Sequence, residues 1–307
     1  MGENIGRGDA VFLPSFTFTA TAEAVLLLGA SPVFVDVDGD DFNIDLADLE
    51  RKVEAVAAAG ELTPRAIIAV DLFGLPVDYA ALKTLAEKHE LFVIDDAAQS
   101  FGGALGEAKV GTLADATATS FFPAKPLGCF GDGGAVFTDD DDKAAIYRSI
   151  RAHGKGGAKY DIIRVGLNAR LDTLQAAVLL AKMEIFGEEI EVRNHVARRY
   201  NSALSGAVKT PPIVNEKQSA WAQYTLQVEN RDQVAAALKE QGIPTAVYYP
   251  LPMHLQSAYR EFGAGEGSLP VSEVLSQSVI SLPMHPYLEE SVQDRICAAV
   301  LDAVGKG

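Results

Sequence analysis

At 307 residues, nearly half of them apolar, the chain can bury a large core and exceeds the usual span of one domain; this excludes disordered and fibrous classes and predicts a large domain with a smaller one. A net charge of −16 argues against a nucleic-acid or anionic-membrane partner, because phosphate polymers need a basic face. Cys129 and Cys297 form no CxxC, no apolar run is long enough to span a bilayer, and MGENIGRGDA lacks a signal peptide's apolar core, so neither a disulfide framework nor a zinc site is predicted and the cytoplasm is the expected compartment.

Ala10 to Leu13 reads as a short strand, and Pro14-Ser15 turns into a helix over roughly Ala20 to Leu28. PVFVDVD is the next strand. Asp45 is placed to cap a helix from Leu46 to Ala58, with Leu46, Leu49 and Val53 on one face. AIIAVDLFG predicts a buried strand ending in a glycine turn, and Asp78 to His89 a helix. A buried strand over Leu91 to Ile94 then stops at Asp95 and Asp96, and another, Ala116 to Phe122, runs into Pro123-Ala124-Lys125-Pro126. Gly133 to Thr138 is a further strand. Thr138, the acids Asp139 to Asp142 and KAAIYRSIRA together predict a capped helix with an acidic first turn; the aspartates lack the alternating spacing of a calcium loop, and no metal is expected.

Leu171, Leu174, Val178 and Ile185 recur at helical spacing and predict a long buried helix continuing towards Tyr200. Beyond Pro211-Pro212, AQYTLQVEN reads as a strand, Asp232 to Gln241 as a helix, GIPTAVYYPLP as a strand entering a turn, and Ser291 to Val304 as a closing helix. Alternation of strand and helix predicts an α/β fold: a mainly parallel sheet covered on both faces in a cofactor-binding domain over residues 1–200, then a smaller α+β domain over residues 201–307. Ligands of such sheets sit beyond the carboxyl ends of the strands, where Asp96 and Lys125 both fall. One segment departs from the acidic balance: Arg148, Arg151, Lys155, Lys159, Arg164 and Arg170 face the single acid Asp161. These cations suit a helix C-terminus or a landing strip for a small polyanion, and the glycines of HGKGG favour the second.

A carboxylate at one strand end and a lysine just past another can hold a pyridine-ring cofactor. The lysine forms a Schiff base with an aldehyde, and the carboxylate keeps the ring nitrogen protonated so that the ring accepts electrons. A solvated strand-end acid and a surface lysine would satisfy the same spacing, so the surrounding residues carry the case. IDDAAQS, TSFFPAKPLGCFGDGG and GLNARLDTLQAA resemble the DegT/DnrJ/EryC1/StrS sugar aminotransferases, which use pyridoxal phosphate, and within them the enzymes aminating a UDP-linked 3-keto-glucuronic acid. The resemblance runs from about Gly8 to the C-terminus and implies a fold type I pyridoxal-phosphate transferase acting as a homodimer with shared active sites.

It also implies roles. Lys125 would hold the cofactor and then move the proton between substrate and cofactor carbons; dehydratase relatives have histidine there. Asp96 would pair with the ring nitrogen, Gln99 with the ring oxygen, and Ser120 with the phosphate. Phe18 would stack on the ring, although from the residues alone it could equally be core. Asn168 would reach the phosphate of the neighbouring subunit, Arg170 an acidic group such as a uronate carboxylate, and Tyr249 and His153 the sugar substrate. Tyr248 stands where these enzymes have histidine. The implied reaction moves an amino group from glutamate to UDP-2-acetamido-3-keto-glucuronate for surface polysaccharide such as O-antigen. The family carries several tens of residues before the point where this chain starts, including a Ser/Asn-Gly-Thr loop whose amides hold the cofactor phosphate, so weakened phosphate affinity and a disturbed dimer are expected. The rival from another class is a non-catalytic remnant that binds a sugar nucleotide or partner. A Rossmann oxidoreductase is disfavoured because no G-x-G-x-x-G follows the first strand.

Overall fold

In the computed structural model, which describes residues 1–158 and 160–305, strand and helix alternate through the first half of the chain. The order is β1 (Asp9–Pro14), α1 (Ala20–Leu27), β2 (Ser31–Val35), α2 (Leu46–Ala59), β3 (Thr63–Val70), α3 (Tyr79–Lys88) and β4 (Phe92–Asp96). The short β5 (Ala104–Leu105) and β6 (Ala108–Lys109) lead to β7 (Ala116–Ser120), β8 (Gly134–Phe137) and α4 (Asp141–Ile150). Then come α5 (Thr173–Leu204), β9 (Lys217–Gln218), β10 (Tyr224–Gln227), α6 (Arg231–Glu240), α7 (Pro270–Ser278), β11 (Val279–Leu282) and α8 (Glu290–Val304).

The main sheet has the order β2-β1-β3-β4-β7-β8, parallel except for β8 against β7. Continuous burial along β1 and the second half of β3 is what a parallel strand covered on both faces requires. Phe12, Leu49, Ile67 and Leu82 lie fully buried beneath it, each contributing about 1.5–3 kcal/mol. Asp45 caps α2 as the sequence predicts, accepting from Ala47 and Asp48 N–H, and Gly60 ends that helix at φ 68°. A second core gathers β10, β11, α6, α8 and the C-terminal half of α5 around Tyr200, Tyr224 and Leu238. Asp36, just past β2, accepts the Val271 and Ser272 N–H groups at 2.9 and 2.8 Å and so caps α7 from across the molecule.

Several expectations are corrected. The helix after Thr138 is capped by Asp140, which stands immediately before its first residue and accepts the otherwise free Lys143 N–H at 3.0 Å, while Thr138 donates instead to the Asp115 carbonyl. Asp95 and Asp96 are the last two residues of β4 rather than residues beyond it. GIPTAVYYPLP forms only a bridge, Ala246 to Ser281, since three prolines deny it a ladder; β10 pairs with β11, which the sequence reading lacked along with α7 and the small sheet β6-β5-β9. The helix towards Tyr200 exists, but its first half is not buried: Leu174 is 80% exposed and Ile185 45%, while Leu179, Phe186 and Ile190 turn inward. Among the described residues no helix is long and apolar enough to cross a membrane.

Candidate active site

The carboxyl ends of β4 and β7 bring the central residues together. Asp96 closes β4 and is held from two sides, by the Thr21 hydroxyl of α1 at 2.8 Å and the Ala98 N–H at 3.2 Å. Burial raises its pKa, and the nearby Lys125 opposes that rise. Lys125 sits in the loop joining β7 to β8, which folds back on itself: Phe121 N–H bonds Gly133 O at 2.8 Å, Cys129 N–H bonds Phe121 O at 2.8 Å, and Lys125 N–H bonds Phe122 O at 2.9 Å. At Gly128 a Cβ would lie 2.5 Å from the Pro123 carbonyl oxygen, so only glycine closes the loop this tightly. Burial lowers the Lys125 pKa and Asp96 pulls it back up, leaving an amine nearer to its neutral, nucleophilic form than a surface lysine.

Gln99 lies buried one turn past Asp96. Its Oε1 accepts the Phe73 N–H at 2.6 Å and its Nε2 donates to the Tyr249 hydroxyl at 3.2 Å, leaving one amide proton for a ligand. The Tyr249 ring lies 6.3 Å from that of Phe18. Phe18 is 57% exposed, which decides between the two readings of it: it is an open aromatic face beside the site and not core. Ser120 ends β7, and its hydroxyl accepts the Phe122 N–H at 3.1 Å while keeping its own proton to donate. Lys125, Asp96, Gln99 and Tyr249 with Phe18 thus converge, and Ser120 stands at the adjacent strand end.

Asn168, Arg170 and His153 form a separate group in the loop between α4 and α5. His153 N–H bonds Leu167 O at 2.9 Å, Ala152 bridges to Asn168, and the Asn168 side-chain oxygen accepts Arg170 Nε and Nη2 at 3.1 and 3.0 Å. All three are exposed, and their neighbours Val165, Leu174 and Leu180 are 81%, 80% and 67% exposed. The basic residues Arg148, Arg151, Lys155, Arg164 and Arg170 belong to this segment; Lys159 lies outside the described residues. Sequence reasoning missed Thr21, whose only signal is its place on the first turn of α1 three residues after Phe18, and it missed the buried acid Asp71 altogether.

This donor set fits a phosphorylated pyridine aldehyde: an amine for the aldehyde, a carboxylate for the ring nitrogen, an amide proton for the ring oxygen, and an aromatic face for the ring. The model of the DegT/DnrJ/EryC1/StrS aminotransferase family matches residues 1–301. The chain belongs to that family. It is 47% identical over 303 residues to the UDP-2-acetamido-2-deoxy-3-oxo-D-glucuronate aminotransferase of Pseudomonas aeruginosa, covering 98% of this chain and 81% of that protein. The crystal structure of a DegT DnrJ EryC1 StrS aminotransferase from Brucella abortus superposes with a TM-score of 0.97 at 51% identity, over 99% of this chain and 81% of the other. The ntda protein from Bacillus subtilis, solved with bound cofactor PMP, matches with a TM-score of 0.87 at 29% identity, over 99% and 69% of the two chains.

Proposed function

We propose that this member of the family moves an amino group from glutamate to the ketone of UDP-2-acetamido-2-deoxy-3-oxo-D-glucuronate, in the cytoplasm, for surface polysaccharide biosynthesis. The enzyme is an aminotransferase and its cofactor is pyridoxal 5'-phosphate, which when bound supplies the electron sink for breaking a C–H bond next to nitrogen. The acceptor follows the relative of 47% identity, and the observation that carries the reaction is Lys125 set against Asp96 at the carboxyl end of the sheet.

Lys125 would hold the cofactor through its depressed amine, and as a free amine it would carry a proton between neighbouring carbons. Asp96, oriented by Thr21 and the Ala98 amide, keeps the ring nitrogen protonated. Phe18 would stack on the ring, Gln99 would donate to the ring oxygen, and Ser120 would donate to the phosphate. Arg170 grips the uronate carboxylate with two parallel N–H bonds once it leaves Asn168, and Tyr249 and His153 line the sugar. The exposure of Val165, Leu174 and Leu180 supports a homodimer in which Asn168 of one copy serves the phosphate in the other. Lys125, Asp96, Gln99 and Tyr249 assembled in one place speak against a non-catalytic remnant.

The test is an absorbance titration of the purified chain with pyridoxal phosphate and then glutamate. The expected outcome is a visible band for the lysine-bound cofactor that glutamate bleaches and that Lys125→Ala never develops. A band of unchanged intensity in Lys125→Ala would overturn the assignment, and failure of the UDP-keto-uronate to restore the bleached band would overturn the acceptor.

A further inference from the structure

Two acids that the reaction does not touch stand behind Asp96. Asp71 follows β3 and Asp95 precedes Asp96 on β4, the strands being paired with Ala69 opposite Asp95 and Val70 opposite Asp96. Both side chains belong to residues with 0% exposure. They are served very unequally. Asp71 accepts the Val77 N–H at 2.8 Å and the Tyr79 hydroxyl at 3.0 Å on Oδ1, and the Ser100 hydroxyl at 2.8 Å on Oδ2. Asp95 accepts the Thr117 hydroxyl at a long 3.3 Å on Oδ2, with the Tyr79 hydroxyl beside it, and among the described residues its buried Oδ1 has no hydrogen-bond partner at normal distance.

A buried carboxylate with three donors can stay ionised, whereas one with an orphaned oxygen is far costlier as an anion than as a neutral acid. The titratable groups facing the pair are Tyr79 from α3 and Asp96 on β4 itself, and the cation of the site, Lys125 beyond β7, acts on Asp96. Tyr79 also lies beside Asp95, so its single proton goes to Asp71 while its oxygen is left to accept.

We propose that Asp71 and Asp95 hold one proton between them, carried on Asp95, so that one buried charge rather than two stands behind Asp96. Asp95 is then a positioning residue. A second anion there would drive Asp96 towards its protonated form, and a protonated Asp96 cannot keep a ring nitrogen charged. Burial first, then Asp71, raises Asp95 well above the ordinary aspartate range, and burial lifts Asp71 as well, to about 7, so Asp71 is the member of the pair that ionises first. The consequence for the ring rests on the function proposed above; the shared proton does not.

The experiment is thermal unfolding of the chain and of Asp95→Asn from pH 4 to pH 8, without cofactor. If Asp95 keeps its proton in the fold, the unfolded chain releases one on ionising near pH 4 that the native protein retains, so the wild type loses stability as pH rises. Asparagine has no such proton, and the unfolding midpoint of Asp95→Asn minus that of wild type should therefore climb with pH. A difference that falls with pH, as for a carboxylate ionised in the fold, or one that stays flat, would overturn the proposal. Infrared spectra give a second reading, which stands even where the variant does not fold: the wild type at pH 7 should show the carbonyl stretch of a protonated carboxylic acid, and its absence would sink the idea. In the cofactor-loaded protein the pH midpoint of the visible band should be the same in Asp95→Asn as in wild type; a downward shift would mean that Asp95 had been charged. Because the first two readings use no cofactor, they separate failure of the shared proton from failure of the proposed reaction.

Discussion

The carboxyl end of β4 and the loop between α4 and α5 both carry residues assigned to the site, yet they are built in opposite ways. Around Asp96 nearly every polar atom is matched within the chain: Thr21 and the Ala98 amide on Asp96, Phe73 and Tyr249 on Gln99, three donors on Asp71. In the loop, the Asn168 and Arg170 side chains bond only each other among the described residues, and large apolar residues of the same segment face outward. The first region is held mostly by bonds within the chain, with Asp95 Oδ1 the exception. The second has the composition of an interface, with bare leucine and valine beside cations, and the homodimer proposed above would cover it.

That contrast can be broken from either side. The largest effect should come from Asp96→Ala, which removes the carboxylate nearest Lys125: kcat should fall by about 10²–10³-fold, the scale of losing one preorganised electrostatic partner, with the visible spectrum of the bound cofactor altered as well. An unchanged spectrum and rate would remove Asp96 from the site. Next, Leu174→Asp combined with Leu180→Asp charges the outer face while leaving the two cores intact. Sedimentation should then show monomers in place of dimers, and cofactor affinity should drop with dissociation; monomers already present in the wild type would refute the shared site. The smallest effect belongs to Asp36→Ala, which removes the cap on α7 and leaves buried N–H groups unmatched. A cost of about 1–3 kcal/mol is expected, read as a fall in denaturation midpoint with little change in the visible spectrum of the bound cofactor.

The same contrast explains what could be read in the sequence. The parallel sheet, the helices of the first half and the Asp96–Lys125 juxtaposition were legible because strand runs there are buried on both faces and end at chemistry-bearing residues. The apolar period of Leu171, Leu174, Val178 and Ile185 revealed a helix but not which neighbour it serves, since a stripe meant for another surface has the spacing of one meant for the core. Tyr249 drew notice only through the resemblance, and its bond to Gln99 spans 150 residues that no local pattern connects. Asp71 stands out in no local pattern, because its burial and a hydrogen-bond partner 29 residues away, at Ser100, are properties of the fold alone.

The backbone closure of the Lys125 loop has a consequence for how this scaffold can diversify. Its turns are fixed by amide-to-carbonyl bonds among Phe121, Phe122, the Lys125 backbone, Cys129 and Gly133 and by the absence of a side chain at Gly128; none of these bonds uses the lysine side-chain amine. Residue 125 is therefore a socket, and under the function proposed above the side chain it carries would set the chemistry without renegotiating the fold. Exchange of that one side chain by mutation leaves its mounting intact, and a lineage can pass from one reaction to another on a loop whose shape has already been settled.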